Sequence, residues 1–395
     1  MLQYYKCQNS TSYICTLDAE KCFDSIDHIS LFYKLKPILN INHWVLLHTW
    51  YGKLRSTVRW NSCLSPHFAI SRGTRQGSLL SPHLFNIFIN DLLMELNHSH
   101  NGLYYGDFKL NNVTYADDIT LVCSTATGLQ SLIDICTAYS QRWLFNFNPN
   151  KSKCLVAGKN HFQNDPVWYL RHNVALENVE SLDILGMSLN NKCDGSRHVL
   201  NRISKCRQSY YSLQDTGMAY PGADVTVKTH IWKTICQPVL LYGMECTHLS
   251  ATSMQQLETS QGNLIKQSLG LCKIARTSHL LHSMGIYNIS DMVKKRYTTL
   301  YRSLFSLDNS CTMLNVNMLS QFLLSGCLFK GTLLSNIIQL GLSPIDLLMN
   351  SSHRKNPTSQ PSGLVDSIKS LLFHENFLKP YSDEHFYVHL LTKSF

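Results

Sequence analysis

Between Thr114 and Cys123 the sequence runs Thr114-Tyr115-Ala116-Asp117-Asp118-Ile119-Thr120-Leu121-Val122-Cys123, two β-forming segments around a pair of adjacent carboxylates. This pattern predicts a hairpin with Asp117 and Asp118 at its tip. A hairpin obliges its neighbours to supply further strands and a covering layer. Taken alone, the two aspartates suit a solvated turn as well as a metal site, because Asp is a favoured turn residue. A functional reading needs a third carboxylate, a nucleotide pocket and a track for nucleic acid elsewhere in the chain.

A third carboxylate is available upstream. Residues 13–17 read as a strand, and Asp18 falls where that strand ends and a helical turn begins, so its side chain projects from a sheet edge into a cleft. Capping the turn is the plainer role for Asp18, and Asp27 takes that role for the amphipathic run 29–35. A helix is expected over 43–53, followed by strand arms at 56–60 and 67–70. The loop from Arg72 to Pro82 holds two glycines, two arginines and Gln76, a flexible backbone with donors for phosphate or base edges. Ser81 as N-cap and Pro82 as first helical residue start a helix through Leu96, with Leu84, Phe85, Phe88, Leu92 and Leu96 on its buried stripe. A hairpin at 101–112, a helix over 129–145, a turn at Asn148-Pro149-Asn150-Lys151-Ser152 feeding a strand, and a strand with a turn over 182–189 complete this part.

From residue 195 onward the pattern changes to helices with basic faces, including Arg197, Arg202, Lys205 and Arg207 and a helix over 225–242. The formal charge of +9 is concentrated in residues 191–300, an asymmetry that suits a polyanion as well as a solvated surface. With 395 residues and 44% apolar content the chain is long enough for two or three folded domains. The expected division is 1–190, 191–300 and a C-terminal helical region, 301–395, without recognisable chemistry. Fourteen cysteines with no C-x-x-C pair argue against structural zinc and read as reduced thiols of an intracellular protein, nucleus and cytoplasm not distinguished. No signal peptide and no apolar run of about 20 residues is present, so no membrane partner is expected.

In their order, these segments resemble the reverse transcriptase domain of non-LTR retrotransposons. Leu17-Asp18 through Phe23-Asp24 matches the first palm motif, Arg75-Gln76-Gly77 with Leu80-Ser81-Pro82 and Phe85-Asn86 the second, and Tyr115-Ala116-Asp117-Asp118 the third. Residues 148–152 look like the fourth motif, Leu185-Gly186 like the primer-grip turn, and Gln237-Pro238-Val239-Leu240-Leu241-Tyr242-Gly243 like part of a thumb. The resemblance implies an α+β fold: an RRM-like polymerase palm, an antiparallel sheet backed by helices, followed by a mostly helical thumb.

It also implies RNA-directed DNA synthesis with two Mg²⁺ ions, Mn²⁺ substituting, held by Asp18, Asp117 and Asp118. Phe23 takes the place of the ring that excludes a 2′-hydroxyl, which disfavours an RNA-making enzyme. Ala19, Arg75, Gln76, Gly77 and Tyr115 line the nucleotide pocket, and Lys151 serves the departing pyrophosphate, a role Lys153 could share. The resemblance makes dNTPs the small substrates; on charge and position alone, Arg197, Arg202, Lys205 and Arg207 are expected to grip the backbone of the RNA template and DNA primer. Only seventeen residues precede Asp18, which implies that the fingers and endonuclease portions of a parent polyprotein are missing. A catalytically inactive remnant that keeps the palm as a nucleic-acid scaffold is the competing expectation.

Overall fold

The computed structural model describes residues 1–306 apart from 76, 107, 159–165 and 214–221. The chain divides after Cys193 into two compact units, each with its own core.

In the first unit, β1 (Ser12–Asp18) leads through a helical turn at Cys22–Ser25 into helices α1 (His28–Leu35), α2 (Ile41–Gly52) and α3 (Ser81–His98). The hairpin β2 (Asn112–Tyr115) and β3 (Asp118–Cys123) follows, then α4 (Ala126–Arg142), β4 (Lys153–Ala157) and β5 (Glu177–Asn178). These strands form one sheet in the order β5-β4-β1-β3-β2. Only β4 and β5 run parallel within it. A β-α-β-β-α-β path with β1 and β3 in the middle is the split βαβ arrangement, so the expected RRM-like α+β palm is found.

The alternation along β1 explains how the sheet is covered. Cys15 and Leu17 join a core shared with α1, α3 and α4, while Ile14 joins a second core with Val122, Leu155 and Leu182 on the opposite face. Asp18 is four residues beyond Ile14, and Asp118 four before Val122. By strand parity both carboxylates therefore belong to the face opposite α1, α3 and α4, at the end of the sheet beyond the second core.

Of α1 to α4, all but α3 start on a side-chain cap. Asp27 Oδ2 accepts from Ser30 N at 2.9 Å and starts α1, and Thr125 Oγ1 accepts from Gly128 N at 3.1 Å ahead of α4. Helix α2 begins two residues before the expected start because Asn40 Oδ1 accepts from Asn42 N at 2.9 Å. Ser81 is not the cap of α3: Leu80 takes that position, Ser81 is the first helical residue, and its hydroxyl donates to Arg75 O at 2.6 Å. The stripe of Leu84, Phe85, Phe88, Leu92 and Leu96 is buried as expected, and α4 covers 126–142 instead of 129–145. The strand arms at 56–60 and 67–70 form a hairpin of two short ladders, Arg55–Ser56 with Phe68–Ala69 and Arg59–Trp60 with Cys63–Leu64.

One buried cation fastens the helical layer. Lys34 Nζ, on α1, pairs with Asp91 Oδ2 at 3.0 Å and donates to Phe88 O at 2.7 Å and to the Tyr139 hydroxyl. It lies 3.8 Å from the Trp143 ring centroid, so α1, α3 and the end of α4 converge on one ammonium.

In the second unit, α5 (Ser196–Ser212) is followed by α6 (Val225–Ile231), a π-helical stretch at Trp232–Cys236 and α7 (Gln237–Leu241). The helix expected over 225–242 is thus one run with a widened middle. Pro238 explains the widening: it lacks an N–H and its ring would clash with a carbonyl one turn back in a regular α-helix. Helices α8 (Ala251–Ser268), α9 (Thr277–Ser283) and α10 (Ile289–Ser306) complete the described part. Its core gathers Val199, Cys206, Trp232, Leu257, Ile265 and Val293. No helix among the described residues is long and apolar enough to cross a membrane.

Candidate active site

The site is assembled by strand register. Tyr115 pairs with Asp118 across the β2–β3 turn, so the two turn residues are Ala116 and Asp117. The tip lies one residue earlier than the sequence pattern suggests, and Asp118 is already a strand residue. Ala116 holds a φ of 52°, uncommon for a residue with a Cβ. On the other edge of β3, Asp118 stands directly opposite Asp18, the last residue of β1. Carboxylates 100 positions apart in sequence are thereby made cross-strand neighbours.

The 148–152 turn fixes the main chain of Asp18. Asn148 N donates to Asp18 O at 2.8 Å, and Asp18 N donates to Ser152 Oγ at 3.2 Å. Ser152 is fully buried, and its own hydroxyl donates to Asn148 O at 2.7 Å. Lys151, from the same turn, brings Nζ to 3.5 Å from Asp18 Oδ2 while remaining largely exposed. Lys153 is engaged elsewhere, in an ion pair with Glu177.

Mutual repulsion is visible in the site's protonation behaviour. Partial burial, then the charges of Asp117 and Asp18, raise the Asp118 carboxyl above its ordinary range. Next to it the buried Cys22 thiol is pushed up to about 12 by burial first and then by its hydrogen bond to the Asp117 carboxylate and the charges of Asp117 and Asp18. A cluster this rich in negative charge and hard oxygen donors suits divalent cations of the Mg²⁺ class. Among the described residues, no three acidic, His or Cys side chains already stand as a metal-holding group; the fit of Asp18, Asp117 and Asp118 to such an ion rests on their carboxylate oxygens and their juxtaposition.

Around the carboxylates, the structure brings the first and second motifs together. Phe23 is half-buried and packs on Phe85 of α3 with ring centroids 4.9 Å apart. Thr74 N donates to Phe23 O at 2.7 Å and Gly73 N to Ile26 O at 2.7 Å, which straps the loop leading to residue 75 onto the turn after Asp18. Gly73 has a φ of +85°, and a Cβ there would lie 2.9 Å from the Asp24 main chain, so only glycine fits. Arg75 is exposed, Gly77 has a φ of +79°, and Tyr115 is 52% exposed beside the acidic turn. Ala19 is buried and bridges to Phe147. Gln76 lies outside the described residues. The Leu185-Gly186 turn joins strands Ser181–Ile184 and Met187–Asn190 with both turn residues at positive φ, 49° and 76°.

Of the four cations expected on nucleic acid, all on α5, Arg197, Lys205 and Arg207 are exposed. Arg202 departs from that expectation: it is buried, with its guanidinium carbon 4.4 Å from the Tyr242 ring centroid. It sits three residues after Val199 and four before Cys206, both buried, so helical spacing alone assigns it to the packed side. Ser152 and Cys22 carry no signal of their own in the sequence, because their roles depend on partners more than ninety positions away.

Residues 2–189 match the family model described as reverse transcriptase (RNA-dependent DNA polymerase). The RNA-directed DNA polymerase of the mobile element jockey from Drosophila funebris is 25% identical over 304 residues, covering 75% of this chain and 32% of that protein. The retrovirus-related Pol polyprotein of the type-2 retrotransposable element R2DM from Drosophila melanogaster is 31% identical over 147 residues, 37% of this chain and 14% of its own length. The chain spans about a third of the length of the jockey protein. A telomerase structure from Candida tropicalis in complex with a telomeric RNA fragment aligns with a TM-score of 0.38 at 9% identity, over 94% of this chain and 51% of that one.

Proposed function

Because residues 2–189 are a reverse transcriptase domain of the non-LTR retrotransposon kind, we propose that this chain extends a DNA primer with dNTPs on an RNA template, using two Mg²⁺ ions. The observation that carries the proposal is the direct opposition of Asp18 and Asp118 across paired strands, with Asp117 in the adjoining turn.

In the proposed reaction the primer 3′-oxygen attacks the α-phosphorus of the dNTP, the bond to the β-phosphate oxygen breaks, and pyrophosphate leaves. Bound Mg²⁺ would supply Lewis acidity and neutralise phosphate charge. Asp18, Asp117 and Asp118 would hold those ions. Lys151 is the lysine suited to deliver a proton to the leaving pyrophosphate, since its ammonium reaches Asp18 and Lys153 is committed to Glu177. Phe23, backed by Phe85, would deny space to a 2′-hydroxyl, while Ala19, Arg75, Gln76, Gly77 and Tyr115 line the nucleotide pocket. Arg197, Lys205 and Arg207 would contact phosphates without reading sequence, a grip that weakens with salt.

The test is primer extension on primed RNA by the chain alone and with fingers and endonuclease portions of a related polyprotein supplied. Extension should require Mg²⁺, prefer dNTPs to rNTPs and vanish in Asp117→Ala. The absence of any Mg²⁺-dependent difference between wild type and Asp117→Ala would remove the enzymatic claim.

A further inference from the structure

Between Asp27 and Asp91 the chain contains no acidic residue, yet it carries seven lysines and arginines over those 63 positions. All but Lys34 are exposed. In the middle of this stretch stands the two-ladder hairpin formed by residues 55–69. Two hydrogen bonds link the ladders: Ser65 N donates to Val58 O at 2.9 Å, and Val58 N donates to Ser65 Oγ at 2.9 Å.

The hairpin presents apolar and aromatic surface to solvent, which a packed domain would ordinarily bury. Trp60 is 78% exposed, Leu64 68% and Val58 56%. Register sets them on two sides of the tip: Trp60 shares a face with Cys63, and Arg59 shares the other with Leu64. Arg59 Nε donates to Asn61 O at 3.3 Å, which anchors the guanidinium at the turn. Arg55 lies one ladder below, opposite Ala69.

We propose that this hairpin binds unpaired nucleic acid, with a base stacked on Trp60 and phosphates drawn to Arg55 and Arg59. An exposed indole on one face of the tip and two guanidinium groups on the other, in a stretch stripped of negative charge, give a strand wrapping the hairpin a stacking platform and a backbone contact that do not read sequence. Duplex is a poorer fit, because its bases are already stacked and offer no face to the indole. The identification of that strand as the template overhang rests on the function proposed above; the binding itself does not.

The experiment uses the full-length chain without dNTPs and two labelled RNA–DNA duplexes, one blunt and one with an unpaired RNA overhang of about ten nucleotides. Wild type should favour the overhang duplex. Trp60→Ala should lose that preference, on the order of tenfold to a hundredfold in affinity, while Trp60→Phe keeps most of it. Replacing Arg55 and Arg59 together by Gln should flatten the salt dependence of overhang binding. The proposal is overturned if Trp60→Ala retains the preference, or weakens blunt and overhang duplexes equally. It is also overturned if Trp60→Ala instead changes the sedimentation mass of the free protein, which would make this face a protein interface. A wild type that loses overhang preference on Trp60→Ala but never extends a primer upholds the surface and overturns only the polymerase reading.

Discussion

The Ser152 hydroxyl is the most economical place to test how the site is held. Ser152→Ala removes the acceptor of the Asp18 N–H while Asn148 O retains its bond from the residue 152 N–H. One inward-facing donor is therefore orphaned, at a cost of about 1–3 kcal/mol. For a folded unit of this size each kcal/mol moves the melting temperature by about 2–4 °C, well within reach of calorimetry. The functional effect should exceed the stability effect. In the proposed site Asp18 meets Asp118 across the sheet to share an ion, and displacement of a reacting group by about 1 Å can cost roughly a hundredfold in rate. Primer extension at saturating dNTP should fall by about ten- to a hundredfold. Ser140→Ala is the control, since that buried serine donates to Thr137 O at 2.9 Å within α4 and touches nothing in the site. If Ser152→Ala melts lower but extends primers at the wild-type rate, the hydroxyl is structural only and the argument for positioning fails. If neither quantity moves, the bond itself contributes nothing.

Two further predictions concern the layers around the site. Burial holds the Lys34 ammonium down to about 8, Asp91 and Glu95 raising it and Arg142 lowering it, against 10.5 ordinarily. A lysine depressed on folding contributes stability that is present above its unfolded value and lost as pH falls through about 8. The stability difference between wild type and Lys34→Met, measured by urea unfolding, should therefore shift in favour of wild type between pH 8 and 10.5; a difference flat across that window would show that Lys34 titrates normally. Gly73→Ala must force a Cβ against the Asp24 main chain at positive φ, a strain of about 1–3 kcal/mol. Lowered thermal stability and a raised KM for dNTP are expected, and a variant matching wild type in both would mean that the strap is not rigid.

The legible parts of this chain were those whose causes are local. Alternation and turn chemistry marked β1, the β2–β3 hairpin and the Leu185-Gly186 turn, and Asp27 announced the start of α1. Errors arose where a residue with a strong local preference was recruited by something remote. Ser81 reads as an N-cap, but its hydroxyl is drawn back to Arg75 O by the curl of the preceding loop. Arg202 reads as a surface cation until its neighbours on the buried stripe of α5 are counted. Lys34 looked like part of an ordinary amphipathic helix, and only the packing of three helices reveals it as their shared anchor.

The opposition of Asp18 and Asp118 also says how such a domain can vary over time. Residues 19 to 117 form an excursion whose length does not enter the geometry of the acids, because what sets it is the pairing of Tyr13 through Asp18 with Cys123 through Asp118. Loops inside that excursion are free to grow or shrink by whole elements. A single-residue insertion within β1 or β3 is another matter, since it exchanges the two faces of the strand and turns a carboxylate into the helical core. Length in the exposed loops between the acids can thus drift without moving them, whereas parity in two short strands is what inheritance has to preserve.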